Sequence, residues 1–334
     1  MIKKNTKRTQ AKKTIASPNR KLSTESAMRN VQKALEGKNF TTLEDINKAL
    51  AKLTSPGSLN AFPDMELTEK EEAQELAFDA MEADTPAQAR KLAKRALALD
   101  PECVDALVLL TGLDARSPRK AIEGLQKAVQ AGERSLGPDF IRENKGHFWL
   151  ILETRPWMRA MQQLADLLRG EELYDEAIRI YERMIELNPN DNQGVRDPLL
   201  GLYLAVGNLK AAARLLKQYE KDSMANFEWG RVLERFLADD LTAAAKALAK
   251  ARACNPHVEL YLTGRKPIPE FLPEMYSMGS EEEAILCMDN LALAWSKHAD
   301  ALFWLLEICM PEDMGTVTPI QPRKKTTALK NKLQ

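Results

Sequence analysis

Apolar residues recur every three or four positions over most of this chain, which is the spacing of one buried helix face. The clearest stretch is residues 174–191, YDEAIRIYERMIELNPND, where Ala177, Tyr181 and Met184 share a face and Pro189 ends the helix. Long alternation of apolar and polar residues, the pattern of a half-buried strand, is absent from the sequence. The pattern therefore predicts an all-α protein.

Small residues return at fixed distances before a helix-ending proline, which indicates an internal repeat. Pro189 and Pro256 are separated by two periods of ~34 residues, the length of a tetratricopeptide repeat. The alanines that match in offset are Ala77, Ala89, Ala93, Ala96, Ala165, Ala177, Ala244 and Ala251. The spacing predicts a tetratricopeptide-like helical-repeat solenoid over residues 68–310, with an insertion at 133–156 that breaks the period. An ordinary bundle of amphipathic helices is the alternative.

Charge is distributed unevenly, although the formal net charge is zero. Residues 1–33 carry ten Lys or Arg against the single acid Glu25, and residues 319–334 carry five against none. Low apolar content predicts a disordered basic arm at 1–27 and a disordered basic tail at 311–334. Such arms neutralise nucleic-acid phosphates, or remain solvated, or fold back on the acidic body. The absence of aromatic residues from 1–33 favours the second and third interpretations.

Between the arm and the repeats, residues 28–54 predict a short module of two helices. Val31 and Leu35 lie on the apolar face of its first helix, and Ile46 on that of its second. A linker rich in Pro, Gly and Ser follows at 55–67. The module is interpreted either as a docking unit or as a cap for the first repeat.

Motifs of enzymatic chemistry are missing from the sequence. It contains no phosphate-binding glycine loop, no H-E-x-x-H and no G-x-S-x-G. The three histidines are far apart in sequence, and the four cysteines form no C-x-x-C. We therefore expect a protein that is not an enzyme, with no catalytic, cofactor-binding or metal residue and no cofactor. No apolar run approaches the ~20 residues that cross a bilayer, so we expect no membrane association and a cytoplasmic location.

The first helices of stacked pairs line the concave side of a solenoid, and a peptide or helix of another protein binds there. The sequence thus predicts a non-catalytic protein–protein interaction scaffold. Its candidate partner-binding residues are Arg155, Trp157, Arg159, Arg196, Tyr203 and Trp229.

Alternatives remain at this stage. One is a nucleic-acid-associated adaptor that uses the basic arms, chiefly residues 1–33. A second is an enzyme that uses His147 and Glu153 of the insertion. The insertion also has a purely structural interpretation, in which a helix packs Trp149 and nearby leucines into the core while Glu153 pairs with Arg159. The identity of the partner and the oligomeric state stay open.

Three segments carry a more specific resemblance. GHFWLILETRPWMRA, NPNDNQGVRDPLL and NPHVELYLTGRKPIP resemble the suppressor of tumorigenicity seven family, and in particular its short soluble prokaryotic members. The resemblance covers roughly residues 71–305. It implies a helical-repeat fold and an interaction role, and it offers no catalytic residue. The membrane association of the animal members does not carry over, because this sequence has no spanning segment.

Overall fold

The computed structural model describes residues 24–35, 42–53 and 66–309, and this part of the chain is all-helical without a strand. The predicted all-α class is therefore confirmed. The α-helices are α1 Thr24–Leu35, α2 Leu43–Leu53, α3 Glu69–Met81, α4 Pro86–Leu99, α5 Val104–Asp114, α6 Pro118–Leu136, α7 Pro138–Glu143, α8 Arg155–Gly170, α9 Tyr174–Leu187, α10 Arg196–Ala205, α11 Leu209–Gln218, α12 Ala225–Leu237, α13 Leu241–Cys254, α14 His257–Leu262, α15 Glu281–Lys297 and α16 Ala299–Cys309.

Several predicted segments lie wholly or largely outside the described residues. They are the basic arm at 1–27, apart from its last four positions, most of the linker at 55–67, and the basic tail at 311–334. α1 begins at Thr24, which is before the predicted start of the two-helix module at residue 28.

Local sequence explains where many helices begin. Thr68 and Glu71 form a reciprocal capping box at the start of α3, so two backbone donors find partners. Thr85 and Ser117 cap α4 and α6 more simply, each accepting one backbone N–H bond, and each is followed by a proline at the first helical position. These starts depend on neighbours within a few residues, which is why sequence patterns locate them well.

The helices pack mostly in chain order. α3 contacts α4, α4 contacts α5 and α5 contacts α6; beyond the insertion α6 contacts α8 and α8 contacts α9. The chain order continues from α9 through α13. In addition α5 contacts both α3 and α8. We call the surface shared by these three helices the α3–α5–α8 face.

Small residues permit close helix contacts. Ala77, Ala93 and Ala177 are fully buried, as the alanine spacing leads one to expect for closely packed helices. At Gly201 in α10 the approach is closer still. A Cβ atom there would lie 2.1 Å from the carbonyl oxygen of Asn290 in α15, so only glycine fits without displacing the neighbouring helix.

α15 departs from packing in chain order. It lies against both α10 and α12, besides its neighbours α14 and α16. Met288, Leu291 and Trp295 of α15 are almost completely buried, and the Trp295 ring lies 6.5 Å from that of Trp229 in α12. The helix therefore belongs to the main hydrophobic core.

Candidate functional site

α1 lies across the α3–α5–α8 face and contacts it through charged side chains. Glu25, Arg29 and Lys33 follow one another at four-residue intervals, so they share one side of the helix. A 12-residue helix is about 18 Å long. That length matches three helices packed side by side at roughly 8–10 Å spacing. α1 therefore reaches from α8 at its start to α3 at its end.

The N-terminal end of α1 is held by arginines of α8. Arg159 donates to the Glu25 carboxylate at 2.6 Å, and an Arg155 guanidinium nitrogen lies 3.8 Å from the same oxygen. Arg159 also donates to Asp105 of α5 at 2.6 and 3.3 Å, where Gln74 of α3 adds a bond of 2.7 Å. One guanidinium thus joins α1, α5 and α8.

The electrostatics at this end favour the charged form of Arg159. Burial opposes the charge on Arg159, but the carboxylates of Asp105 and Glu25 more than offset that effect, so the pKa of Arg159 is raised. Asp105 is itself buried, with a side chain only 2% exposed. Such a carboxylate needs its cationic partner, because a buried unpaired charge is costly.

The middle of α1 meets Glu75 of α3. Ser26 donates to the Glu75 carboxylate at 2.6 Å, and the Arg29 guanidinium pairs with the same oxygen. Ser26 is completely buried, and Glu75 is 5% exposed. Because a serine side chain is small, the helix backbone can approach α3 closely at this point.

The C-terminal end of α1 meets Glu71 of α3. Lys33 donates to the Glu71 carboxylate at 2.6 Å and to the carbonyl oxygen of Glu66 at 3.3 Å. Burial raises the pKa of Glu71, but the bonds from Lys33 and Thr68 outweigh burial, and the net pKa is lowered. Glu71 therefore serves both the capping box of α3 and the attachment of α1.

Two of the six predicted partner-binding residues, Arg155 and Arg159, lie at this site. Between them Trp157 points into the core, where it is 1% exposed and packs against Phe148, with the ring centroids 5.7 Å apart and the rings tilted by 53°. The Trp157 side chain also lies against Gly132 of α6. Trp157 therefore presents no surface to a partner in this conformation.

The other three predicted residues lie elsewhere. Tyr203 donates to Glu182 at 2.6 Å and is 5% exposed. Trp229 is fully buried and donates to the carbonyl oxygen of Asn255 at 3.1 Å. Their positions fit packing roles, and partner binding by them stays a prediction.

Arg196 organises a separate charged cluster. Its guanidinium donates to Asp191 at 3.1 Å and to Asp222 at 2.9 Å, and it lies 5.3 Å from the centre of the Tyr219 ring. The adjacent Asp197 is half-buried, and burial raises its pKa to about 7 despite the nearby Arg196 charge. This cluster ties the segments before α10 and α12 together.

The insertion has its own compact arrangement. Two short 3₁₀ turns, Phe148–Leu150 and Leu152–Thr154, bury Phe148 and Thr154. Leu150 is 72% exposed, so the predicted burial of the leucine beside Trp149 is wrong here. The predicted pairing of Arg159 with Glu153 is wrong as well, because Arg159 pairs with Asp105 and Glu25.

Residues 24–35, 42–53 and 66–309 contain no group of His, Cys, Asp and Glu placed to hold a metal ion. Burial raises the pKa of the Cys103 thiol to about 12 and of the Cys254 thiol to about 11, which suppresses thiolate formation. Over the same ranges, no helix has both the length and the apolar composition that crossing a bilayer requires.

Most of the residues in the contacts between α1 and the α3–α5–α8 face were not predicted from the sequence. They are Glu25, Ser26, Arg29 and Lys33 of α1, Glu71 and Glu75 of α3, and Asp105 of α5. One signal was available, because Glu25 is the single acid of the basic stretch and stands four and eight residues before Arg29 and Lys33. The acidic partners are distant in sequence and carried no comparable signal.

The comparisons with known proteins assign no family to this chain. No family model matches the chain, and no curated protein matches its sequence.

Proposed function

We propose that this protein is a non-catalytic interaction scaffold whose α3–α5–α8 face binds a helix of another protein. The main support is that α1 of the chain itself lies on that face, held by charged side chains of α3 and α8. A surface that accepts a helix in this way has the width, polarity and hydrogen-bonding groups that a second helix needs.

The contacts of α1 are those of a bound element more than of a core element. Ser26 is its only completely buried residue, whereas Met28 is 44% exposed. Ion pairs at a protein surface contribute little net free energy, about 0–1 kcal/mol each, and buried pairs roughly break even against desolvation. α1 is therefore held weakly enough for exchange with a competing helix.

The tetratricopeptide-like solenoid is part of the same proposal. It is supported by the buried alanines at repeat offsets and by the contacts of α5 with α3 and α8, the first helices of successive pairs. On this proposal the α3–α5–α8 face is the concave side. A kinship with the suppressor of tumorigenicity seven family is also proposed, on the strength of the three sequence segments alone.

Two further predictions remain beside this proposal. Nucleic-acid binding through the basic arm depends mainly on residues outside the described part of the chain, and the cytoplasmic location is likewise a prediction. Nuclease treatment during partner capture separates a helix-binding scaffold from a nucleic-acid adaptor, because only the adaptor loses its partners.

The test uses the full-length chain and a labelled peptide of residues 21–38, KLSTESAMRNVQKALEGK. Arg29→Glu/Lys33→Glu in the chain places acids against Glu75 and Glu71, which releases its own α1. We expect fluorescence anisotropy to show peptide binding at least tenfold tighter than to the unsubstituted chain. The reason is that tethered α1 competes at an effective concentration in the range of about 1 mM.

The matched control is Arg119→Glu/Lys120→Glu, the same charge change on the exposed side of α6. It should bind the peptide as weakly as the unsubstituted chain. We call the Arg29→Glu/Lys33→Glu chain the released variant. Adding Glu75→Lys to it should abolish binding of the peptide. Equal weak binding by all four chains, with helical circular dichroism preserved, would overturn the proposal.

A further inference from the structure

The side chains of the α3–α5–α8 face that contact α1 change from arginines at the start of α1 to glutamates toward its end. At the end formed by α8, Arg155 and Arg159 surround Glu25. At the end formed by α3, Glu75 and Glu71 accept Arg29 and Lys33. The face is thus cationic at one end and anionic at the other, over the length of a single 12-residue helix.

From this arrangement we infer that the partner is a helix with an acid, an arginine and a lysine at four-residue intervals, in that order from its N-terminus. This inference rests on the proposed function and specifies the ligand of the same site. The pattern is acid-x-x-x-Arg-x-x-x-Lys, as in Glu25, Arg29 and Lys33. The partner helix lies in the direction of α1 and takes its place.

Charge order discriminates against a helix of the opposite order. Such a helix would place its lysine beside Arg159 and its acid beside Glu71. Like charges that face each other in a partly buried site are repulsive, and repulsion of this kind is a common source of binding specificity. The side chains concerned are shielded from solvent, with Glu25 19% and Lys33 21% exposed, so salt screens them incompletely.

A second feature of the pattern is the position after the acid. Ser26 is completely buried and donates to Glu75 at 2.6 Å. The same carboxylate also pairs with Arg29. A larger side chain at this position would push the helix away from α3, so the partner carries a small residue there, with serine supplying the additional hydrogen bond.

The experiment compares three peptides on the full-length Arg29→Glu/Lys33→Glu chain. The first has the native sequence of residues 21–38. The second carries Glu25→Lys and Lys33→Glu, which keeps the composition and inverts the charge order. The third carries Ser26→Leu. We expect both altered peptides to bind at least about thirtyfold more weakly than the native peptide in fluorescence anisotropy.

A charge exchange on the receptor provides a second measurement. Adding Glu71→Lys to the released chain should weaken binding of the native peptide and strengthen binding of a peptide that carries Lys33→Glu alone. Circular dichroism verifies that this receptor stays folded. The comparison of peptides on the first receptor holds even if Glu71→Lys disturbs the start of α3.

The outcomes separate the two proposals. Equal binding of the native and the order-inverted peptides would overturn the charge pattern, while the helix-binding scaffold would stand. Loss of binding by every peptide would overturn both. We expect strong binding of the native peptide and weak binding of the two altered peptides. We also expect the Lys33→Glu peptide to bind more strongly to the receptor that carries Glu71→Lys.

Discussion

α1 and α15 both lie across other helices of the chain, yet they are held by different forces. α15 buries Met288, Leu291 and Trp295 against α10 and α12. α1 buries Ser26 completely and otherwise depends on ion pairs with α3 and α8. Apolar burial contributes far more net free energy than partly solvated ion pairs. α15 is therefore part of the hydrophobic core, whereas α1 lies on the surface of the folded helices.

The largest effect should come from the apolar contact of α15. Trp295→Ala removes a completely buried side chain that packs on Trp229, and large-to-alanine changes of this kind cost about 3–5 kcal/mol. Urea unfolding should show this loss. Met28→Ala in α1, where the side chain is 44% exposed, should change the unfolding free energy by less than about 0.5 kcal/mol. Similar losses for the two variants would contradict the distinction.

The close backbone approach between α10 and α15 allows a second test of how firmly α15 is held. Gly201→Ala would place a Cβ atom 2.1 Å from the Asn290 carbonyl oxygen, so α15 must shift away from α10. We expect destabilisation of about 1–3 kcal/mol in chemical denaturation. Gly170→Ala is the control, since a Cβ atom there meets nothing within 4 Å. A control as unstable as Gly201→Ala would show that the contact is unimportant.

Protonation of Asp197 in α10, a helix that packs against α15, should make the unfolding free energy depend on pH. Burial raises the pKa of Asp197 to about 7. The pKa of the Cys287 thiol in α15 is also raised, first by burial and then by the negative charge of Asp197. Between about pH 4 and 7 the folded state keeps a proton that the unfolded state releases, so the unfolding free energy falls as pH rises through this window.

Because Asp197 is only half-buried, we expect this loss to be on the order of 1–2 kcal/mol between pH 5 and 8. Thermal or urea unfolding across the pH series measures it. Asp197→Asn should flatten the dependence. A pH profile that is unchanged by this substitution would assign the effect to another group.

The smallest expected effect concerns salt. Raising sodium chloride from 0.05 to about 0.5 M shortens the Debye length and weakens, in part, ion pairs that keep some contact with solvent, as those of α1 do. Amide hydrogen exchange should therefore accelerate several-fold in residues 24–35, while exchange in residues 281–297 stays unchanged. Uniform acceleration in both helices would mean that α1 is as firmly integrated as α15.

Part of this architecture could be predicted from sequence because its causes are local. The helical class follows from apolar spacing, and the starts of α4 and α6 follow from Thr85-Pro86 and Ser117-Pro118. The candidate site was predicted only in part. Arg155 and Arg159, two of the predicted partner-binding residues, contact α1, and partner binding by them stays a prediction. The intervening Trp157 packs inward, because helical neighbours point in different directions.

The rest of the site could not be predicted because its contacts join distant residues. Glu25 meets Arg159 across 134 positions, and Ser26 meets Glu75 across 49. Apolar periodicity identifies which face of a helix is buried but does not identify the element that covers it. The early start of α1 at Thr24 has the same origin, since Glu25 and Ser26 gain partners only in the folded chain.

The residue pattern alone specifies the helical class, the spacing of the alanines that let helices approach closely, and the uneven distribution of charge. That α1 lies on the α3–α5–α8 face, and α15 on α10 and α12, is visible only in the folded chain. The two kinds of feature differ in the sequence distance over which their causes act. Helix formation and capping depend on residues within one or two turns, whereas the pairing of Glu25, Arg29 and Lys33 with their partners requires surfaces that exist only after those helices have packed.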